Sequence, residues 1–207
     1  MDEREFREIL AFGHEQHGIE FKRGGSRKND KRLLAKVIRA AISMANRRDG
    51  GRVIIGVEEG DNNSLILNGV SQDDLPSWNH DDLADSIAEY ADPSVNFEVE
   101  SFKLEGKDFV ILEVDEFDDF PVICKKNFDN VLRSGACYIR SRRKPETVDI
   151  PTFVDMRDLL ELAINKGVRN FVRRASSAGL SLSAENIKPS DTELFNKQFE
   201  DFIGEEK

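Results

Sequence analysis

One stretch constrains the fold of this 207-residue chain more than any other: Ala41-Ile42-Ser43-Met44-Ala45-Asn46-Arg47-Arg48-Asp49-Gly50-Gly51-Arg52-Val53-Ile54-Ile55-Gly56-Val57-Glu58. Val53 to Ile55 are apolar at consecutive positions, so an extended strand there is apolar on both faces. Such a strand belongs in the middle of a sheet covered on both sides. Upstream, Leu33, Leu34, Val37, Ile38, Ala41, Ile42 and Ala45 recur at helical spacing. They predict a helix capped by Asn29 or Asp30 and ending near Asn46. Asp49-Gly50-Gly51 supplies the turn, because glycine accepts the positive φ that ends a helix.

The flanking chain fits the same plan. Residues 3–12 predict a short helix carrying Phe6, Ile9 and Leu10. Residues 18–22 predict an extended piece with Ile19 and Phe21 on one face and Glu20 and Lys22 on the other. Glu58-Glu59-Gly60-Asp61-Asn62 is expected as a polar turn, 65–67 as a return strand and 81–90 as a helix. Residues 95–104 and 108–114 are expected as a hairpin, with extended pieces at 122–125 and 136–140. Pro151 opens a helix running to about Arg174, with Gly167 as a point of interruption. The expected fold is an α/β (α+β) sandwich: a mixed, largely antiparallel sheet flanked by helices. Residues 1–174 form the domain, 175–189 a Ser/Ala-rich linker, and 190–207 an amphipathic C-terminal helix for packing or oligomerisation. That last helix has a capping box at Ser190 and Glu193 and the stripe Leu194, Phe195, Phe199, Phe202 and Ile203.

Charge limits function only when resolved along the chain. The net −10 argues at first against nucleic acid. Yet residues 22–52 carry +9, residues 125–144 carry +6 and residues 166–174 carry +4, while residues 58–119 carry −17. Binding responds to local fields, so a bipolar molecule of this kind presents basic surfaces despite its total. Arg140-Ser141-Arg142-Arg143-Lys144 is the sharpest basic cluster, suited to phosphate contact. Lys22, Arg23, Arg47 and Arg48 stand close in sequence to acids that include Glu20. From the residues alone, Glu15, Glu20 and Glu58 fit either surface ion pairs or oxygen ligands for a divalent ion.

Other chemistries find little support. Cys124 and Cys137 form no zinc or disulfide pattern, and His14 and His17 have no accompanying ligand cluster. No Gly-x-x-x-x-Gly-Lys-Ser/Thr loop occurs, so no ATP is expected. Apolar runs fall far short of the roughly 20 residues of a membrane span, and Met1-Asp2-Glu3-Arg4 begins no secretory signal. A cytoplasmic protein without membrane contact is expected.

Three motifs together resemble the AlbA_2 domain of the Schlafen family: Glu15-x-x-x-x-Glu20-Phe21-Lys22, the Ala45-Asn46…Gly50-Gly51…Ile55-Gly56-Val57-Glu58 block, and Tyr138-Ile139-Arg140. They span roughly residues 10–145. Gln16 stands where that family often has Ser, and Glu58 where its nucleolytic members have Asp. The resemblance implies nucleic-acid binding, with cleavage of tRNA or other structured RNA by a Mg²⁺- or Mn²⁺-dependent site. That site would comprise Glu15, Glu20 and Glu58, with antiviral defence as its setting. Phosphate contact would fall to Lys22, Arg23, Arg47, Arg48, Arg140, Arg142, Arg143 and Lys144. The animal core joins two such lobes, so this single lobe implies a homodimer or a subunit of a larger complex. The alternatives are a catalytically silent DNA- or RNA-binding module, acting as a transcriptional regulator or targeting subunit, and a scaffold whose acidic middle docks a partner.

Overall fold

A computed structural model describes residues 3–60 and 64–180. The chain divides into two units, Met1–Lys166 and Gly167–Lys207. Helix α1 (Glu3–Ala11), strand β1 (Ile19–Lys22), helix α2 (Lys31–Ala45) and strand β2 (Gly51–Ile55) come first. Strands β3 (Val57–Glu59) and β4 (Leu65–Leu67) pair antiparallel, and helix α3 (His80–Tyr90) follows a short 3-10 helix at Leu75–Trp78. Then come β5 (Ala91–Asp92), the hairpin β6 (Phe97–Leu104) and β7 (Lys107–Val114), β8 (Ile123–Cys124), β9 (Tyr138–Arg140), β10 (Thr147–Asp149) and helix α4 (Phe153–Ser177). This is an α+β fold with mostly antiparallel strands.

The main sheet runs β1-β2-β7-β6, with β1 parallel to β2 and the other pairs antiparallel. The consecutive apolar residues of β2 divide between two cores by strand parity. Ile54 joins Phe6, Ile9, Phe21, Phe109 and Ile111 beneath α1. Val53 and Ile55 join Val37, Ile38, Ala41, Ile42, Val110 and Leu112 beneath α2. Each such side chain withdrawn from water contributes about 1.5–3 kcal/mol, so this strand anchors both layers. Asp30 caps α2 by accepting from the Leu33 amide at 2.8 Å, in line with the sequence expectation.

Two glycines explain the breaks on either side of β2. Gly50 has φ +64°, and a Cβ there would fall 2.0 Å from the Val114 carbonyl oxygen. Gly56 has φ +110° and separates β2 from β3, so Glu58 and Glu59 lie on a paired strand rather than the expected turn. Asn46, just past α2, is buried and ties three segments together. Its Nδ2 donates to the carbonyls of Val122 at 2.8 Å and Tyr138 at 2.9 Å, and its Oδ1 accepts from the Val122 amide at 2.7 Å.

Helix α4 passes through Gly167 without interruption and continues past the expected linker boundary to Ser177. Within the first unit only Leu159 and Leu162 of α4 are buried, while Phe153, Leu160 and Ile164 are exposed. Lys166 holds that part of the helix by donating to the Phe117 carbonyl and pairing with Glu116 at 3.4 Å. Residues 181–189 of the expected linker and the C-terminal helix lie outside the described residues. Among the described residues no helix is long and apolar enough to cross a membrane.

Candidate nucleic-acid interface

Strand β1 places Glu20 beside Val53, on the sheet face that α2 covers. The β9–β10 hairpin lies over it, and Glu20 is only 6% exposed. Its sequence position suggests a solvated face, and the covering hairpin reverses that. A buried carboxylate needs compensation. Glu20 Oε1 is 2.5 Å from Lys22 Nζ. Its Oε2 accepts from Arg140 Nη1 and from Thr147 Oγ1, each at 2.6 Å. Burial pushes its pKa up, but Lys22 and Arg140 together outweigh this and hold it below the ordinary carboxylate value.

Arg140 corrects a second expectation. The run of cations from 140 to 144 suggests an outward-facing residue, and instead its side chain is 2% exposed. Its Nη2 meets Glu15 Oε2 at 3.3 Å and donates to the carbonyls of Gln16 at 2.9 Å, Ile19 at 3.1 Å and Pro145 at 2.6 Å. Every one of these acceptors holds the guanidinium in place, so Arg140 staples the segment before β1 to the β9–β10 hairpin and offers no free fork to a phosphate.

Glu15 is the more unusual of the two carboxylates. Its Oε1 accepts from the Phe21 amide at 2.9 Å, and Lys22 Nζ stands 3.9 Å away. Burial, followed by repulsion from Glu20, outweighs Lys22, Arg140 and the Phe21 amide, and raises its pKa to about 7. Glu15 therefore changes charge around neutral pH, and it lines a cavity of about 280 Å³ with Lys22, Arg23, Arg32, Lys36, Glu58 and Glu59. Glu58 accepts from Asn68 Nδ2 at 3.0 Å, and Glu59 accepts from the Glu15 amide at 2.8 Å.

The three-carboxylate metal site is not gathered as expected. Glu15 and Glu58 share the cavity, while Glu20 lies behind it, saturated by Lys22, Arg140 and Thr147. Among the described residues no three His, Cys, Asp or Glu side chains are grouped to hold a metal. This arrangement is a cation-compensated carboxylate pair, and it does not fit a divalent ion.

A second cavity, of about 460 Å³, collects Arg47, Arg48, Arg140 and Arg142 with Asn46, Asp155 and Asp158. Arg47 is folded back, donating to the carbonyls of Arg48 at 3.0 Å and Gly50 at 2.6 Å. Arg142 pairs with Asp155, at 3.7 Å, and with Asp158. Arg143 and Lys144 are exposed on the β9–β10 loop and line neither cavity. Apart from Glu20, Arg143 and Lys144, the expected site residues thus divide between two clefts, with Arg140 lining the second while bonded to Glu15 of the first. Thr147, Arg32 and Lys36 join the site without having been expected there. For the last two, their i,i+4 spacing on α2 is the signal that sequence reasoning could have used, whereas nothing in the sequence marks Thr147.

A mixed sheet flanked by helices, with a buried carboxylate–guanidinium junction between two cation-lined clefts, makes this an α+β domain. The Schlafen AlbA_2 family matches residues 15–149, and the chain belongs to that family. No curated protein matches it in sequence. Among solved structures, the chain is similar to the DIP2311 protein from Corynebacterium diphtheriae at 19% identity and TM-score 0.48. That likeness covers 71% of this chain but 26% of the other, so the chain spans about a quarter of that protein. It is also similar to the N-terminal domain of a putative ATP-dependent DNA helicase RecG-related protein from Nitrosomonas europaea, at 22% identity and TM-score 0.45 over 62% of this chain and 83% of that one.

Proposed function

We propose that this chain is a nucleic-acid-binding module that grips the phosphate backbone with the cations around its two clefts. One observation carries this reading. The conspicuous acids Glu15 and Glu20 are compensated internally by Lys22 and Arg140. By contrast, Lys36, Arg48, Arg143 and Lys144 have no carboxylate partner among the described residues. Local positive charge is therefore left for phosphates despite the acidic total. Fluorescence anisotropy with labelled tRNA and duplex DNA tests it. Affinity falls steeply with salt, and Lys36→Ala/Arg48→Ala flattens the log–log salt slope by roughly 0.7–0.9 for each phosphate no longer neutralised. Binding that ignores salt overturns the reading.

A second reading, RNA cleavage, is favoured by the Glu15 pKa of about 7 beside Lys22, Glu58 and Glu59 in one cavity. A carboxyl that titrates near neutrality suits proton transfer, and a neighbouring ammonium suits charge growing on phosphorus. On this reading a homodimer or a larger complex supplies the second lobe, and the family resemblance makes antiviral defence the setting. Incubating tRNA with Mg²⁺, Mn²⁺ or EDTA, for the wild type, Glu15→Gln and Glu58→Gln, decides it. Cleavage abolished in Glu15→Gln supports this reading; salt-sensitive binding without cleavage leaves the binding module.

A further inference from the structure

We propose that Asp155 and Asp158 of α4 act as a built-in phosphate mimic that occupies Arg142 and holds down the affinity of the second cleft for nucleic acid. This rests on the nucleic-acid reading above and names a regulation of the same surface. Arg142 leaves the β9–β10 loop with its side chain 59% exposed, so it is available to a ligand. Two carboxylates three residues apart on a helix lie on one face, and both reach this one guanidinium. Asp155 stands 3.7 Å from Arg142 Nε, and Asp158 pairs with Nη2. Two carboxylates set against one guanidinium bring it the negative charge that a phosphate would bring, and phosphate is a group that arginine recognises.

The cavity around this ion pair is otherwise suited to an anion. Arg47 and Arg48 line the same wall, and neither is paired with a carboxylate among the described residues. The element carrying the acids is weakly docked. Between Phe153 and Lys166 only Leu159 and Leu162 are buried, and the far end is held by Lys166 on Glu116 and Phe117. Elements with few buried apolar side chains open at low cost. An incoming strand therefore has to displace two carboxylates from Arg142 before that cation can neutralise a phosphate.

The test compares the wild-type chain, Asp155→Asn/Asp158→Asn, and the same pair of changes combined with Arg142→Ala, using tRNA titrated over a range of salt. Asp155→Asn preserves a side-chain acceptor for Thr152 at the start of α4, where the Thr152 hydroxyl also accepts from the residue-155 amide. Neutralising one more phosphate makes binding about fivefold tighter near 0.1 M salt and steepens the salt slope by roughly 0.7–0.9. The expected result is that gain in the double variant and its disappearance when Arg142 is absent. Glu161→Gln, which removes one charge from the same cavity without touching Arg142, is expected to give a smaller gain and no change of slope. An unchanged affinity while the wild type binds tRNA overturns the mimic and leaves the binding function standing. A gain that survives Arg142→Ala also overturns it, since simple charge reduction then explains the effect. Absence of binding in the wild type and every variant overturns both.

Discussion

Both clefts set arginines against carboxylates, yet they differ in what water is allowed to do. Around Glu15, Glu20, Lys22 and Arg140 the ions are buried, and each oxygen of the pair has a fixed partner. The Arg142 side chain is more than half exposed, and its pairing is subject to screening. The first cleft is therefore rigid and structural, while the second is adjustable. Identical residue types become a staple or a latch according to depth alone.

The largest effect that would break this contrast comes from Arg140. Arg140→Met strands the buried Glu20 charge against Lys22 alone, and removal of one partner from a buried pair costs about 3–5 kcal/mol. Urea denaturation should show the midpoint falling with little change in slope. A drop of less than about 1 kcal/mol would place Arg140 with the exposed pairs.

Next in size is the pH response of Glu15. Its folded-state pKa, about 7, is raised above the ordinary 4.5. Its contribution to stability is therefore fully present below about pH 4.5 and is lost as pH rises through about 7. Glu15→Gln removes that pH dependence. Relative to wild type the variant should gain about 1–3 kcal/mol between pH 5 and pH 8. Thermal melts across that range measure it, and parallel pH curves for the two proteins would refute it.

Smallest is Arg142. Arg142→Ala should change stability by less than about 1 kcal/mol, because an exposed pair contributes little net energy. A melt that drops as far as that of Arg140→Met would erase the difference between the clefts.

The frame of the molecule is more legible in the sequence than its site. Val53, Ile54 and Ile55 announce a strand covered on both faces, and strand parity then assigns them to two cores. The Asp30 cap and the α2 stripe are equally legible, because their signals are local. The burial of Glu20 and Arg140 is not. Alternation along β1 shows which face Glu20 occupies but not what lies over it. Its cover includes Thr147 on a three-residue strand with no apolar pattern of its own. Asn46 is visible as part of a motif, although its three-way tie requires knowing where residues 122 and 138 come to rest. Helix α4 is likewise legible as a helix, while the exposure of Phe153 and Ile164 depends on how little lies against it.

The Glu20–Arg140 bond joins positions 120 residues apart in sequence. A chain made from its N-terminus therefore exposes Glu15 and Glu20 with Lys22 as their nearby counter-charge until the β9 segment has been synthesised. The long loop must also close before the guanidinium can neutralise them. The junction is thus among the last parts of the domain to acquire its native environment. A ribosome-bound chain halted before residue 140 would carry an open, water-filled gap where the finished protein has its most tightly held ions.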